Sequence, residues 1–443
     1  KIGPFIRVAQ WNIARGMNLE YIKYIFSDPS KLPITIEKED YLKKVREEIE
    51  VFRNSDILVL NEVDYGMPRT GYVNVAEEIA KAGKYNFAFA PEFTEVDPVH
   101  LGLEDYKWSE ERFLKDILNK TITIDKLKYK GLHGNAILSK FPILKVEVLR
   151  LPNYYDWYNA EKSKNSSIEL ARKNFAEKVF HEEIIREIRL GGRMALIADI
   201  EIPGMDDPVT VISVHLENRT GPENRRKQIE YLLSHIKDKK NPVILAGDLN
   251  TTMADGSPAK IEKIVYKKLT DVNFLGRTIL LYGNPYSLII TTTADATNFL
   301  RTTKNPAATS IPILANNPER GLFKVLMNMK FADGYTFDFR GDDDKTLNDR
   351  DGLLANSNER SLRGFTPTYL FKKNFGVAKY KLDWIFVKSY LKNCKDEDGP
   401  NKFSPHFART LFNLNYSLAF PISDHIPITV DIPLTEYSDE DDD

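Results

Sequence analysis

Short apolar runs alternate with amphipathic stretches along this chain, and the alternation predicts an α/β or α+β fold. The apolar runs have the length of strands, whereas several segments between them carry the spacing of a helix with one apolar face. The predicted strands are Ile6–Ile13, Ile57–Leu60, Ala136–Leu138, Ala195–Ile202, Thr210–Val214, Val243–Leu245, Leu382–Val387 and Ile426–Ile432.

Three amphipathic stretches predict helices. The first covers Asp40–Phe52, and the second covers Val75–Ala82, where Asn74 and Glu77 have the spacing of a capping box. The third follows Pro222, because proline suits the first helical position, and its apolar face repeats at Ile229, Leu232, Leu233 and Ile236.

Two long segments are predicted to be insertions. Residues 154–190 are polar, aromatic and helix-prone, and residues 271–363 carry clusters of Pro, Asn and Thr. The acidic run at 438–443 predicts a solvated, disordered tail. A chain of 443 residues would ordinarily suggest two or three domains. No repeat or linker-like stretch divides it, so we expect one elaborated domain over residues 1–437.

Composition and charge exclude several classes of protein. Apolar residues make up 42% and charged residues 28% of the chain, as in ordinary globular proteins. A formal net charge of −2 argues against binding nucleic acid through bulk charge, but it leaves room for a local basic groove. The single cysteine, Cys394, excludes an internal disulfide and a cysteine metal cage. No apolar run reaches about 18 residues, so we expect no membrane span. The chain begins at Lys1 rather than Met, which leaves a removed secretion signal and the compartment open.

Polar residues follow many of the apolar runs. Asn12, Glu62, His215, Asp248 and Asn250 stand at or just past strand ends, Asp383 opens a strand, and Asp424 and His425 precede the last one. Each has an ordinary alternative: Asn12 could cap a turn, His215 could be a core histidine and Asp424 could be a cap. Together they could converge at one rim of a sheet, where functional sites are commonly built.

The order of these residues resembles the endonuclease/exonuclease/phosphatase superfamily, the group of DNase-I-like metal-dependent phosphoesterases. Asn61 departs from the Gln that the family often has, and the insertions are unusually long. The resemblance implies a four-layer sandwich of two central mixed β-sheets flanked by helices, with a metal site at one edge. The matching blocks are Trp11–Ile13, Asn61–Val63, Gly134–Pro142, Val214–Glu217, Gly247–Asn250, Leu382–Phe386 and Ser423–His425.

The site chemistry that follows is metal-assisted attack of water on a phosphate ester. Mg²⁺ takes oxygen ligands and needs only one or two carboxylates from protein, so Glu62 is the expected ligand, with Asn12 and Asp424 as further donors. Mn²⁺ is expected to substitute for it. The family pattern implies that Asp248 activates the water and that Asn250 orients the water or the phosphate.

Two histidines complete the expected site. His425 would hydrogen-bond a phosphate oxygen or act in acid–base catalysis, and Asp383 would fix its tautomer and raise its basicity. His215 would face the phosphate from the other side. Which of these residues is base and which is acid stays open at this stage.

Three residues are weaker candidates for substrate binding. Arg69 could reach a substrate phosphate, although an exposed arginine is usually only solvated. Asn135 could line the site or serve a turn. Arg225 follows the His215 block, and a salt bridge on a helix surface is the alternative for it.

Other enzyme classes lack their motifs. Ile185 stands where a zinc-protease helix that began at His181 would need its second histidine, and the chain has no P-loop or nucleophile-elbow motif. The acidic stretch 342–352 lacks the register of a calcium loop.

The substrate is the largest open choice. We expect hydrolysis of nucleic-acid phosphodiesters; a lipid or inositol-phosphate phosphoesterase is the alternative, with the aromatic cluster Tyr154, Tyr155, Trp157 and Tyr158 as its possible membrane contact. A catalytically silent binding module would be expected to lack one of Glu62, Asp248, Asp383 or His425, and all four are present. The oligomeric state is not indicated.

Overall fold

Two β-sheets form the centre of the molecule, as seen in a computed structural model of the chain. The structure describes residues 4–96, 130–162, 188–251, 319–338, 360–361, 364–365, 368–370, 379–388, 390–391, 401–418 and 420–434. The first sheet contains, in spatial order, β17 (His406–Thr410), β18 (Ile428–Pro433), β1 (Phe5–Arg15), β2 (Ile57–Tyr65), β4 (Lys130–Ser139), β3 (Asn86–Val96) and β6 (Ile188–Gly191).

The second sheet has five strands. Both sheets are mixed, because β1 and β2 run parallel in the first and one adjacent pair, β8 and β9, runs parallel in the second, while the remaining neighbours are antiparallel. The strands of the second sheet are, in spatial order, β14 (Asp383–Lys388), β9 (Val243–Asp248), β8 (Val209–His215), β7 (Met194–Ile200) and β5 (Ile143–Arg150).

All eight predicted strands are confirmed, with bounds that differ by a few residues. Sequence reasoning missed β3, β5, β6 and β17. Strand β5 lies at a sheet edge, and its residues Leu144, Val146 and Val148 are exposed. The apolar side chains of this strand are therefore not a sign of burial. Strand β3 contains Pro91 and two glutamates, which obscure the strand pattern. Short two-stranded ribbons complete the list: β10 (Arg360–Ser361) with β11 (Gly364–Phe365), β12 (Tyr369–Leu370) with β13 (Lys379–Tyr380), and β15 (Tyr390–Leu391) with β16 (Asn401–Lys402).

The three predicted helices are confirmed, and the described ranges contain four more α-helices. The side chain of Asn74 accepts a hydrogen bond from the backbone N of Glu77 at 3.4 Å, as the capping pattern predicted. Pro222 occupies the start of its helix. The helices are α1 (Leu19–Ser27), α2 (Glu39–Arg53), α3 (Val75–Gly83), α4 (Trp157–Lys162), α5 (Pro222–Ile236), α6 (Arg320–Asn328) and α7 (Phe412–Asn415).

Three apolar clusters define four layers. One cluster joins the outer face of the first sheet to α1, α2, α3 and α7, and another joins the outer face of the second sheet to α5 and α6. The third lies between the sheets and contains Val8, Val59, Leu196, Val211 and Ile244. The arrangement is the expected α+β sandwich of two mixed sheets flanked by helices.

Only parts of the two predicted insertions are described. Helix α4 and strand β6 lie in the first, and α6, whose Leu322, Phe323 and Leu326 pack with α5, lies in the second. The rest of both segments, the acidic stretch 342–352 and the 438–443 tail lie outside the described residues. Within the described ranges, no helix has both the length and the hydrophobicity that a membrane crossing requires.

The inner faces of the sheets change character along their strands. On β1, Ile6 and Val8 belong to the inter-sheet apolar cluster, and Gln10 and Asn12 follow on the same face because side chains alternate along a strand. On β9, Ile244 and Ala246 are followed in the same way by Asp248. The space between the sheets is therefore apolar at one end and polar at the other.

Candidate active site

Strand register brings three predicted site residues side by side. His215 of β8 pairs with Asp248 of β9, and Asp248 pairs in turn with Asp383 of β14. In the first sheet Asn12 of β1 pairs with Asn61 of β2. Each of these residues lies on the inner face of its sheet, next along the strand after residues of the inter-sheet apolar cluster. The polar ends of the two sheets therefore face each other across one cleft.

Asp383 and His425 form a hydrogen-bonded pair. Nδ1 of His425 lies 2.7 Å from Oδ2 of Asp383, and both side chains are buried. The second carboxylate oxygen of Asp383 accepts a hydrogen bond from Gln10 Nε2 at 2.9 Å. Burial alone lowers the pKa of His425, but the negative charges of Asp383 and Asp248 outweigh burial and hold the pKa well above its ordinary value.

Asp248 lies between the two predicted histidines. Its Oδ2 atom is 3.7 Å from Nε2 of His425 and 3.5 Å from Nε2 of His215. Asn12 Nδ2 donates to the same oxygen at 3.1 Å, and the backbone N of Asn250 donates to Oδ1 at 2.8 Å. Burial, aided by the charge of Asp383 and opposed by His425, raises the pKa of Asp248 to about 7. This carboxyl group therefore takes up and releases a proton near neutral pH.

A set of buried amides connects the two sheets behind these charged groups. Asn61 Oδ1 accepts from the backbone N of Asp248 at 2.9 Å and from Gln10 Nε2 at 3.1 Å. Asn61 Nδ2 donates to Asn135 Oδ1 at 3.0 Å and to the backbone O of Val214 at 3.2 Å. The residue that stands in place of the family's usual Gln thus fixes the backbone beneath Asp248.

Glu62 lies at an irregularity in β2. The pairing of β2 with β4 shifts register between Leu60 and Val63, and Glu62 has a left-handed φ of 52°. Such bulges occur beside active sites because they re-aim a side chain. Burial alone raises the pKa of Glu62, but the positive charges of Arg15 and His133 outweigh it, so the pKa lies below its ordinary value and the group is ionised at neutral pH.

Asp424 lies close to Glu62. The residue is exposed to solvent, although the protein groups around its carboxylate enclose it in part. This enclosure raises the pKa of Asp424; the positive charge of His425 opposes the shift, and the negative charge of Glu62 adds to it. Ser423 holds the adjoining loop, since its Oγ donates to the backbone O of Asn12 at 2.7 Å. The loop before β18 and the end of β1 are thereby fixed to each other.

Two groups of side chains could hold a cation. Asp248, Asp383 and His425 offer ligand atoms that all lie within 4.8 Å of one another. The sequence instead pointed to Glu62, Asn12 and Asp424. Asn12 keeps acceptor capacity, because its Oδ1 accepts only from the backbone N of Ala14 at 3.1 Å among the described contacts and a carbonyl oxygen has two lone pairs. Two interacting carboxylates beside an amide oxygen suit a hard divalent cation.

The structure places Arg69 and Arg225 on carboxylates. Arg69 donates to both oxygens of Asp64, at 2.6 and 2.8 Å, and to Glu95. Arg225 is fully buried in α5 and donates to Glu319 and to the backbone O of Thr220. Arg225 therefore does not lie on a helix surface, as the alternative for it supposed. Both arginines have anionic partners within the protein.

Asn135 and Asn250 lie within the site. Asn135 is buried on β4 and contacts Asn61 and Glu92, the latter at 3.4 Å. Asn250 has a left-handed φ of 49°, and its Nδ2 donates to the backbone O of Leu216 at 2.9 Å. The side chain of Asn250 thus ties the end of β9 to the end of β8, while its backbone N supports Asp248.

Sequence reasoning missed a buried set of ionic residues beside His215 and Glu62. Arg193 Nη1 donates to Glu92 Oε2 at 2.7 Å and contacts His215 Nδ1 at 2.8 Å. His133 contacts Asp64 at 2.9 Å. These residues belong to no recognised motif. The alternation along β3 could have placed Glu92 on the inner face with Ala88 and Ala90, but it could not have identified its partner.

Comparison of the sequence with protein families identifies one family. A sequence model described as the Endonuclease/Exonuclease/phosphatase family matches residues 9–425. No curated protein sequence matches the chain at a significant level.

Similar solved structures are distant in sequence. An endonuclease/exonuclease/phosphatase from Beutenbergia cavernae is 14% identical with a TM-score of 0.38, and the match covers 97% of this chain and 72% of that one. A humanized D. rerio TDP2 is 12% identical with a TM-score of 0.38 over 97% and 98% of the two chains. The human Nocturnin catalytic domain is 16% identical with a TM-score of 0.36 over 98% and 94%.

Proposed function

Since the chain belongs to the endonuclease/exonuclease/phosphatase family of phosphoesterases, we propose that it is a Mg²⁺-dependent enzyme that hydrolyses phosphodiester bonds of nucleic acid. One observation carries the proposal: Asp248 lies between two histidines, and one of these, His425, is paired with Asp383 at 2.7 Å. A base, a cationic donor and a neighbouring pair of carboxylates are the groups that hydrolysis of a phosphate ester requires.

Glu62, Asp424 and the side-chain oxygen of Asn12 would hold the metal ion. Glu62 is ionised by its cationic neighbours, and Asp424 is exposed to solvent. When bound, Mg²⁺ supplies a Lewis acid that draws charge from a phosphate oxygen. This set would supply two carboxylates and one amide oxygen, the kind of donors that Mg²⁺ takes from protein.

The protein groups then divide the proton transfers. As the oxygen of the attacking water bonds to phosphorus and the P–O bond to the leaving oxygen breaks, Asp248 accepts the water proton at Oδ2, the oxygen that faces both histidines. The leaving oxygen takes its proton from solvent. The backbone N of Asn250 holds Oδ1 of the same carboxylate and fixes its orientation. His425, kept cationic by Asp383, donates from Nε2 to a phosphate oxygen and stabilises the charge that develops there.

The packing of the aromatic cluster argues against its use as a membrane contact. A lipid-directed enzyme would be expected to expose aromatic residues on its insertion. Trp157 is instead buried and donates from Nε1 to Glu217 at 3.0 Å, and Tyr155 packs against it with ring centroids 5.1 Å apart. Of the four residues in the aromatic cluster, Tyr158 alone is classed as exposed. This packing supports a structural role for the cluster.

One substrate panel tests the proposal. Single- and double-stranded DNA, RNA, sphingomyelin vesicles and soluble inositol phosphates are incubated with the protein at fixed salt, first with EDTA and then with Mg²⁺ or Mn²⁺. We expect nucleic acid to be cut only with the metal. Binding should weaken steeply as salt rises, because each neutralised phosphate releases counterions.

Three results would contradict the proposal in different ways. Full activity in a metal-free preparation would contradict the proposed dependence on a metal ion. Hydrolysis of vesicle lipid or inositol phosphate with nucleic acid untouched would favour the alternative phosphoesterase. Binding of nucleic acid without turnover of any substrate would favour the silent binding module.

A further inference from the structure

The two ring nitrogens of His215 have different surroundings. Nδ1 lies 2.8 Å from Nη1 of Arg193, and Nε2 lies 3.5 Å from Oδ2 of Asp248. Nη1 of Arg193 also donates to Oε2 of Glu92 at 2.7 Å. The same Glu92 oxygen is 3.6 Å from Nδ1 of His215, so the guanidinium group is the closer partner of that nitrogen.

The chemistry of the guanidinium group decides where the His215 proton lies. A guanidinium has only donors and is not deprotonated in proteins. Nη1 has two hydrogens, one for Glu92 and one for His215. Nδ1 of His215 must therefore accept, because an N–H group directed at another N–H group at 2.8 Å would be repulsive. A neutral imidazole that accepts at Nδ1 carries its proton on Nε2.

We propose that Arg193 is a positioning residue that fixes His215 as the neutral tautomer with its proton on Nε2. His215 then enters the reaction as a hydrogen-bond donor to a phosphate-ester oxygen and not as a base. Its Nε2 atom is buried and makes no hydrogen bond within the part of the chain that the structure describes. The role as donor rests on the proposed phosphoesterase function, whereas the position of the proton does not.

The two histidines beside Asp248 are therefore set in opposite ways. His425 directs Nδ1 at the acceptor-only carboxylate of Asp383, at 2.7 Å, and so carries a proton there. His215 directs Nδ1 at a donor-only guanidinium. His425 is able to gain and lose a proton at Nε2, while His215 keeps the proton on Nε2 and gains none at Nδ1.

The surroundings of Arg193 hold its guanidinium in place. The side chain is 2% exposed, its Nε lies 3.6 Å from Glu217 Oε2, and its guanidinium carbon lies 5.4 Å from the centre of the Phe93 ring. Burial, followed by the positive charge of Arg193, holds the pKa of His215 well below its ordinary value. These contacts agree with a histidine that stays neutral across the working pH range.

The test is a direct observation of the two ring nitrogens. The full chain is labelled with ¹⁵N-histidine, and long-range ¹H–¹⁵N correlation spectra are recorded at neutral pH without metal or substrate. The His215 signals are assigned by comparison with His215→Gln. We expect one protonated nitrogen, Nε2, and one unprotonated nitrogen, Nδ1. A His215 with its proton on Nδ1, or with both nitrogens protonated, would overturn the proposal.

Three variants test the part played by Arg193. Arg193→Lys retains a donor-only cation and should keep the Nε2–H tautomer. Arg193→Gln offers both a donor and an acceptor, so His215 should become a mixture of tautomers. Arg189→Gln is the matched control, because it also removes a buried arginine, one that pairs with Glu95 at 2.9 Å. It should leave the His215 signals unchanged.

Activity provides the second measurement. Arg193→Gln should lower kcat about 10-fold or more with a smaller effect on KM, since an oriented donor matters most in the transition state. Arg193→Lys should recover most of this loss. An unaltered tautomer in folded Arg193→Gln would contradict the positioning role. If Arg193→Gln does not fold, the spectra of the wild type and of Arg193→Lys still decide the matter. Because the spectra need no substrate, their outcome is separate from that of the substrate panel.

Discussion

At the scale of single residues, the charge of Asp248 is set by its neighbours. The group lies within 3.7 Å of two imidazoles, yet only one of these rings is held cationic. A carboxyl group with a pKa of about 7 is suited to accept a proton from water at neutral pH. Its hydrogen bonds to Asn12 and Asn250 fix the orientation of the carboxylate.

Substitutions of His425 and Asp383 should lower the catalytic rate to different extents. His425→Ala should lower kcat by about 10³-fold or more, because it removes the cationic donor. Asp383→Asn should cost less, since it leaves the imidazole present and only weakens its orientation. Steady-state kinetics on one DNA substrate would measure both. His235→Ala, which removes an exposed histidine that contacts Glu147, is the matched control and should keep full activity. Near-normal turnover by folded His425→Ala would refute this mechanism.

The pH profile of Asp383→Asn has a definite sign. The negative charge of Asp383 raises the pKa of His425, so its removal should lower that pKa. If the cationic form is active, the activity lost at alkaline pH should then be lost at a lower pH than in the wild type. Profiles of kcat against pH for both proteins would show the difference. If the loss of activity at alkaline pH occurs at the same pH in both proteins, a group other than His425 is responsible for that loss.

At the scale of elements, the structural role of Arg225 becomes clear. Helix α6 lies inside the second predicted insertion, and its preceding residue Glu319 is 1% exposed. Arg225 of α5 donates to Glu319, and the two helices share an apolar cluster. The ion pair joins α6 to α5, the helix that follows the His215 strand. We therefore expect Arg225 to stabilise this helix pair rather than to contact substrate.

Glu319→Gln should therefore destabilise the fold with little direct effect on chemistry. Removal of one partner leaves the buried cation without its counter-charge, which costs about 3 kcal/mol in the free energy of unfolding. Urea unfolding would measure the loss. Glu223→Gln provides the control, because Glu223 is an exposed partner of Arg226 on the same helix, and its removal should leave stability unchanged. If the Glu319→Gln protein were as stable as the wild type but bound substrate more weakly, the result would instead support a role for Arg225 in substrate binding.

At the scale of the whole molecule, buried amides join the two sheets at the end where the apolar cluster stops. Asn61 of the first sheet holds the backbone of Asp248 and contacts the backbone of Val214, both in the second sheet. Each buried amide hydrogen bond also fixes the separation of the sheets locally. The distance between the Glu62 and Asp248 groups thus depends on contacts that lie behind them.

Asn61→Leu should affect both stability and activity. It removes the amide that accepts from the Asp248 N–H and donates to the Val214 carbonyl in a buried position, at a cost of about 2 kcal/mol or more. We expect a lower midpoint in urea and a lower kcat, because the backbone beneath Asp248 shifts. Asn86→Ala removes an exposed asparagine that donates to the backbone O of Phe141, and it should change neither. An Asn61→Leu protein with normal stability would contradict the role of this amide in joining the sheets.

The sequence determined the strands that build the sheets and the residues that end them. In a strand with one buried face, every second side chain is buried and apolar. This alternation predicted β1 and β8 and placed Asn12 and His215 at their ends. The order of the short blocks indicated the family, which the family match confirmed. Exposed β5 was missed because its apolar residues do not report burial.

Tertiary structure alone decided which charged groups face one another. Glu92 and Arg193 are 101 positions apart and meet because β6 pairs with β3, which brings the connection after β6 against Glu92. Arg69 was a plausible phosphate ligand by sequence, but the fold places Asp64 and Glu95 against it. A side chain's charge state and proton position depend on the atoms within a few ångströms. Those neighbours come from distant segments, so no local pattern in the sequence records them.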